Sequence, residues 1–194
     1  MDNSDTAQPI DPRPIDSQPV DSQPVDSQRV DSQSVDSQSV DPRLRATAYH
    51  EAGHAVMALA LGRPIQKVTV APNQNYLGAC QIQKGRFKPT KDWLEDEILI
   101  LFAGMVAESQ VTGRYCPNGA SQDLRGIRRY VLMRTSGESQ VERLERRLLD
   151  KTEHLLADAA NWKAVELIAA ELLKCESISG RAARHFFDLA EQSQ

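Results

Sequence analysis

Two histidines and a glutamate stand within five residues of one another, in the order His50-Glu51-Ala52-Gly53-His54. On an α-helix, residues four apart lie on the same face, so the two imidazoles would point at one position. Such a pair suits a tetrahedral zinc ion, which takes nitrogen and carboxylate ligands. Glu51 would then stand beside the metal, where it can take a proton from the attacking water. The spacing therefore predicts the site of a metalloprotease.

The residues around this motif predict the helix that it needs. Asp41 can cap the helix, Pro42 suits its first position, and Gly62 suits its C-terminal end. The residues between them are apolar on nearly every side, which predicts a buried helix. Two histidines satisfied by other core groups are the alternative interpretation. Because buried polar groups need partners, which a metal supplies, the pattern favours a zinc site.

Composition and charge exclude several classes of protein. The 194-residue chain has no apolar run long enough to predict a membrane span. Its three cysteines are few and widely spaced, which predicts no disulfide framework and, by default, a reducing cytoplasm. Residues 1–43 hold nine Asp and three Arg, a net charge of −6. Because the whole chain has a net charge of −4, the rest carries +2 and is close to neutral. A nucleic-acid surface is therefore not expected.

The N-terminal segment is a five-residue repeat. Its clearest unit is Pro19-Val20-Asp21-Ser22-Gln23. A period of five matches neither helix nor strand, so no continuous apolar face can form. We therefore expect residues 1–43 to be a disordered tail, acidic and without aromatic residues.

After the motif helix, the pattern predicts a β-hairpin and then further helices. Residues 65–70 and 77–83 are expected to pair as strands around a turn rich in Pro and Asn. Thr90 is expected to cap a second long helix, in which Gly104 indicates close packing against another element. A third helix is expected to start near Asn118. Helical patterns follow at 140–156 and 162–173, and Ser179 can cap a last helix. The predicted fold class is mostly α.

Several of these segments together resemble one known family. Residues 48–55 read Ala-Tyr-His-Glu-Ala-Gly-His-Ala, and residues 119–124 read Gly-Ala-Ser-Gln-Asp-Leu. Both are similar to specific motifs of the peptidase domain of FtsH-type, ATP-dependent zinc metalloproteases. Weaker likenesses occur at 67–70, 77–78, 102–108, 171–173 and 178–187. The resemblance runs from about Ala46 to the C-terminus, and it implies a zincin-like helical peptidase domain over residues 44–194 with a small β-hairpin.

The resemblance also implies a set of site residues. His50, His54 and Asp123 would be the zinc ligands and Glu51 the general base. From chemistry alone, Glu108 is the other candidate for the third ligand, since either carboxylate suits zinc. Asp123 could also merely complement the dipole of a helix. The remaining candidates are not expected to be ligands: His154 and His185, on amphipathic helices, and Cys116, an isolated cysteine.

Two departures from the family affect the expected function. No Gly-x-x-x-x-Gly-Lys-Ser/Thr phosphate loop occurs in the sequence, and the family's long insertion after the Asp-bearing helix is reduced to residues 133–138. The leading hypothesis is a zinc metalloendopeptidase acting on unfolded or flexible protein and peptide substrates. Besides the substrate, the expected partners are a separate ATPase or further copies of the same chain. The alternative is a non-catalytic, zinc-stabilised module that binds peptides or proteins.

Overall fold

A computed structural model describes residues 40–72, 77–83, 92–117 and 119–193. Residues 1–39 of the expected tail lie outside the described residues, as does Thr90, so the division at residues 43 and 44 stays a prediction. The described part is mostly helical, which confirms the predicted fold class. Its elements in chain order are α1 (Pro42–Ala60), β1 (Ile65–Thr69), β2 (Ala79–Ile82), α2 (Trp93–Thr112), α3 (Ser121–Leu132), α4 (Glu138–Leu156), α5 (Ala159–Cys175), β3 (Ser177–Ser179) and α6 (Gly180–Glu191).

Helix α1 is the central element, and its ends are those that the sequence predicts. The Asp41 side chain accepts a hydrogen bond from the backbone amide of Arg43, and Pro42 occupies the first turn. Beyond the last turn, Gly62 has a φ of +74°, the left-handed conformation that glycine adopts without steric cost. Residues 50–59 of α1 are buried without interruption. Such a helix must be covered on all sides, and α2, α5 and the sheet cover it.

The sheet has three strands in the order β2-β1-β3. The antiparallel pairing of β1 with β2 confirms the predicted hairpin. Strand β3, which pairs antiparallel with the other edge of β1, is an addition that the sequence analysis missed. Three residues, Ser-Ile-Ser, are too short to show an alternating pattern. Among the described strands, β2 therefore forms one edge of the sheet.

Helices α1 and α2 approach each other closely. A Cβ added at Gly53 of α1 would lie 2.3 Å from the backbone oxygen of Ala103 in α2, so only glycine fits there. The expected close packing of the second helix is thus confirmed, and it brings the buried face of α2 against the motif of α1. Helix α2 is capped by Asp92, whose side chain accepts from the amide of Glu95.

Helices α4, α5 and α6 complete the core. Helix α5 packs against α1 through its buried face, and α6 packs against α5 and β1. Asp158 caps α5, and Ser179 caps α6 as predicted. No helix in the described ranges combines the length and apolar character needed to traverse a lipid bilayer.

Candidate metal centre

The motif residues share one buried face of α1. His50, Glu51 and His54 are each exposed by less than a tenth. The two imidazole rings stand edge to face with their centroids 4.7 Å apart, as the four-residue spacing predicts. Three polar side chains on a buried helix are costly unless each has a partner.

Asp123, in the first turn of α3, supplies a carboxylate to the same point. Its Oδ2 atom lies 3.1 Å from Nε2 of His50 and 3.5 Å from Nε2 of His54. Zinc bonds of about 2.0–2.2 Å at tetrahedral angles place neighbouring ligand atoms about 3.3 Å apart. The two measured distances bracket that value. These three residues therefore form a group that could hold a metal ion.

The second nitrogen of each imidazole is held by another group. Nδ1 of His50 lies 3.0 Å from Oε2 of Glu108, and Nδ1 of His54 lies 2.7 Å from the backbone oxygen of Ile100. Because a carboxylate and a carbonyl only accept, each Nδ1 carries the proton, and in the neutral imidazole Nε2 then has a free lone pair. This arrangement is the usual way in which a metal-binding histidine is oriented. Glu108 thus contacts the side of His50 that faces away from Asp123. The geometry favours Asp123 as the third ligand, which stays a prediction.

The carboxylates make this position strongly favourable for positive charge. Burial lowers the pKa of His50, but hydrogen bonds to Asp123 and Glu108 outweigh burial and raise it to about 10. For Asp123, burial raises the pKa, whereas the two imidazoles outweigh burial and hold it well below its usual range. The same surroundings that stabilise an imidazolium would stabilise a metal cation, which must displace the proton from Nε2.

Glu51 is placed beside the group, close to the start of β2. A Cβ added at Gly78 would lie 2.8 Å from both Cγ and Oε1 of Glu51, so glycine lets the strand approach this side chain. Burial raises the pKa of Glu51, and the charges of His54 and His50 oppose that rise. Interaction with the backbone of Cys80 also favours the charged form of its carboxylate and lowers its pKa.

The other candidates from the sequence do not join this group. His154 and His185 are exposed, as expected. Cys116 is partly buried and offers no atom to the cluster that the described residues form. The sequence analysis did not anticipate the contacts of Ile100 with His54 and of Gly78 with Glu51. A backbone carbonyl carries no sequence signal, whereas the Leu77-Gly78 pair could have indicated a close approach of backbone.

Comparison with known proteins agrees with this geometry. Residues 39–133 match the model of a family described as peptidase family M41. This part of the chain is similar to peptidase family M41. It is 38% identical over 87 residues to an ATP-dependent zinc metalloprotease FtsH of Rickettsia conorii, covering 42% of this chain and 14% of that protein. It is 40% identical over 84 residues to FtsH of Protochlamydia amoebophila (41% and 9%) and 42% identical over 84 residues to FtsH of Magnetococcus marinus (41% and 12%).

These matches confirm the resemblance to FtsH-type peptidase domains. The chain spans at most about one seventh of the length of these relatives. The M41 match ends at residue 133, so it includes α1, the hairpin, α2 and α3 but not α4 to α6. All four predicted site residues fall within it.

Proposed function

We propose that this protein is a zinc-dependent endopeptidase that hydrolyses peptide bonds in unfolded or flexible protein chains. The observation that carries this proposal is the convergence of Nε2 of His50, Nε2 of His54 and Oδ2 of Asp123, with both Nδ1 atoms engaged elsewhere. The match of residues 39–133 to the M41 family model supports the same reaction class.

In this proposal His50, His54 and Asp123 hold the zinc, and Glu108 and the Ile100 carbonyl fix the two imidazoles. When bound, zinc supplies a Lewis acid that polarises the scissile carbonyl and lowers the pKa of water toward about 7. Three protein ligands leave a fourth position open, which is typical of catalytic rather than structural zinc sites.

Glu51 is the proposed general base. It lies next to a ligand in the sequence, and Asp123, not Glu51, completes the ligand group. Its carboxylate would accept the proton of the attacking water and then donate it to the leaving amine. A purely structural zinc site has no use for a base at this position, which argues against the non-catalytic binding module.

Strand β2 is the proposed binding edge for the substrate. It pairs with β1 on one side only among the described strands, and residues at its start contact Glu51. An extended peptide can add to such an edge through main-chain hydrogen bonds. Only an unfolded or flexible segment can adopt that extended conformation, so we propose such segments as the substrate class.

Folded substrates would need help from another protein. The relatives carry the words "ATP-dependent" in their names. We therefore propose that an ATPase acts with this domain to deliver folded substrates and that the domain works within a homo-oligomer.

Replacing Glu51 by Gln tests the enzymatic role. Glutamine keeps the shape of the side chain but cannot accept the proton, so cleavage of an unfolded substrate should fall by a factor of about a hundred or more. Zinc content and thermal unfolding should stay close to those of the wild type. Cleavage is measured by the release of fluorescent peptides from an unfolded, labelled protein, without ATP.

Glu142→Gln is the matched control, because Glu142 is exposed on α4. This variant should cleave like the wild type. If zinc-loaded wild type and Glu51→Gln are equally inert toward unfolded chains, the endopeptidase proposal is wrong and the zinc-stabilised binding module takes its place.

A further inference from the structure

Gly104 of α2 faces the candidate ligand atoms directly. A Cβ added at this position would lie 2.4 Å from Nε2 of His54, 2.6 Å from its Cε1 and 2.8 Å from Nε2 of His50. Real Cβ atoms essentially never approach other heavy atoms within 3.0 Å. Any side chain at residue 104 would therefore enter the space between the two imidazoles.

The two nitrogens that the added Cβ would meet are the ones that would bind a metal ion. A zinc ion lies about 2.0–2.1 Å from each imidazole nitrogen. A carbon 2.4 Å from Nε2 and 2.6 Å from Cε1 of His54 lies against the ring itself, so the imidazole would have to leave the orientation that directs Nε2 toward the metal. We propose that Gly104 is a positioning residue whose missing side chain lets the two imidazoles adopt the orientation that binds the metal. This inference rests on the proposed zinc site.

Close contact between helix backbones does not explain the glycine at residue 104. At Gly53, the added Cβ would meet the backbone of Ala103, so that glycine is needed for contact between the helices. At Gly104, the three nearest atoms all belong to the imidazole rings of His54 and His50. Glycine inside a helix is also less stable than alanine by about 0.5–1 kcal/mol. The contact with the imidazoles therefore accounts for a residue that helix propensity disfavours.

The first test measures metal binding by Gly104→Ala. Zinc per chain is determined by elemental analysis, and affinity by titration of the metal-free protein with zinc alone. We expect affinity to fall by more than about a hundredfold, beyond the range for substitutions that only orient a ligand. Gly126→Ala is the matched control: it also lies inside a helix, and its nearest neighbour would be the end of the Leu101 side chain. The control should keep one zinc per chain.

A second measurement needs no metal, and it remains informative if Gly104→Ala is too unstable for metal titration. Gly104→Ala is made in the wild-type and His54→Ala backgrounds, and both pairs are unfolded with denaturant in a chelator. If the added methyl group collides with His54, its destabilising effect should become smaller once that ring is removed, and the contact with Nε2 of His50 should account for the part that remains. An equal effect in both backgrounds would overturn the proposal.

The outcomes separate this inference from the proposed function. Zinc binding by the wild type and an equal affinity of Gly104→Ala would overturn only the role of Gly104. Absence of zinc from both the wild type and Gly126→Ala would overturn the zinc site and this inference together.

Discussion

The segment with α1 to α3 and the segment with α4 to α6 bury different kinds of side chain. Of the five buried polar or charged side chains among the described residues, four lie in the first segment (His50, Glu51, His54 and Asp96) and only Thr152 lies in the second. The Thr152 hydroxyl donates a hydrogen bond to the carbonyl of Leu148 in its own helix, so this buried polar group has a partner. Three of these costly buried polar groups, His50, Glu51 and His54, thus belong to the candidate metal centre.

The family match follows the same division. It covers residues 39–133 and ends before α4. Helix α5 nevertheless packs against α1, which carries three of the four predicted site residues. The comparison indicates that the first segment supplies the chemistry, whereas the second stabilises the helix on which that chemistry depends.

A large effect on stability, without loss of the metal, is expected in the second segment. Leu172 of α5 is fully buried, so Leu172→Ala should lower the free energy of unfolding by about 2–5 kcal/mol. Since no candidate ligand is touched, the variant should still bind one zinc per chain at temperatures where it is folded. Denaturant unfolding and elemental analysis measure the two quantities.

Leu189→Ala is the control for this truncation, because Leu189 is 41% exposed on α6 and its removal should change stability little. Loss of zinc from folded Leu172→Ala would contradict the division of roles between the two segments.

A smaller effect, confined to metal affinity, is expected at Glu108 in the first segment. Glu108→Gln keeps an oxygen that can accept from Nδ1 of His50 but removes the charge. Zinc affinity should fall by about 10–100-fold, the usual effect of altering a group that orients a metal ligand. That range corresponds to about 1.4–2.7 kcal/mol. Titration with zinc, together with thermal unfolding of the metal-free protein, measures the change.

Complete loss of zinc in Glu108→Gln, with full retention in Asp123→Asn, would instead transfer the third-ligand role to Glu108. Glu142→Gln again serves as the control, and its affinity should equal that of the wild type.

Much of the fold and part of the site could be predicted from the sequence. The ends of α1 could be predicted from Asp41, Pro42 and Gly62, because capping and left-handed glycine are local properties. The shared face of His50 and His54 could be predicted from helix geometry. Strand β3 could not, since its pairing with β1 is non-local and three residues show no period.

The partners that side chains find across the core could not be predicted from the sequence pattern. The contacts of His54 with the Ile100 carbonyl and of His50 with Glu108 join residues 46 and 58 positions apart. They depend on how α2 packs against α1. The choice between Asp123 and Glu108 was open on chemical grounds for the same reason, because it turns on which nitrogen of His50 each carboxylate faces.

The central claim is that His50, His54 and Asp123 together hold one zinc ion. Its most direct test is a crystal structure of the zinc-loaded protein with anomalous data collected at the zinc edge. We predict one strong peak per chain, about 2.0–2.2 Å from Nε2 of His50, Nε2 of His54 and a carboxylate oxygen of Asp123. A peak coordinated by Glu108 instead of Asp123, or no peak between the two imidazoles, would contradict the claim.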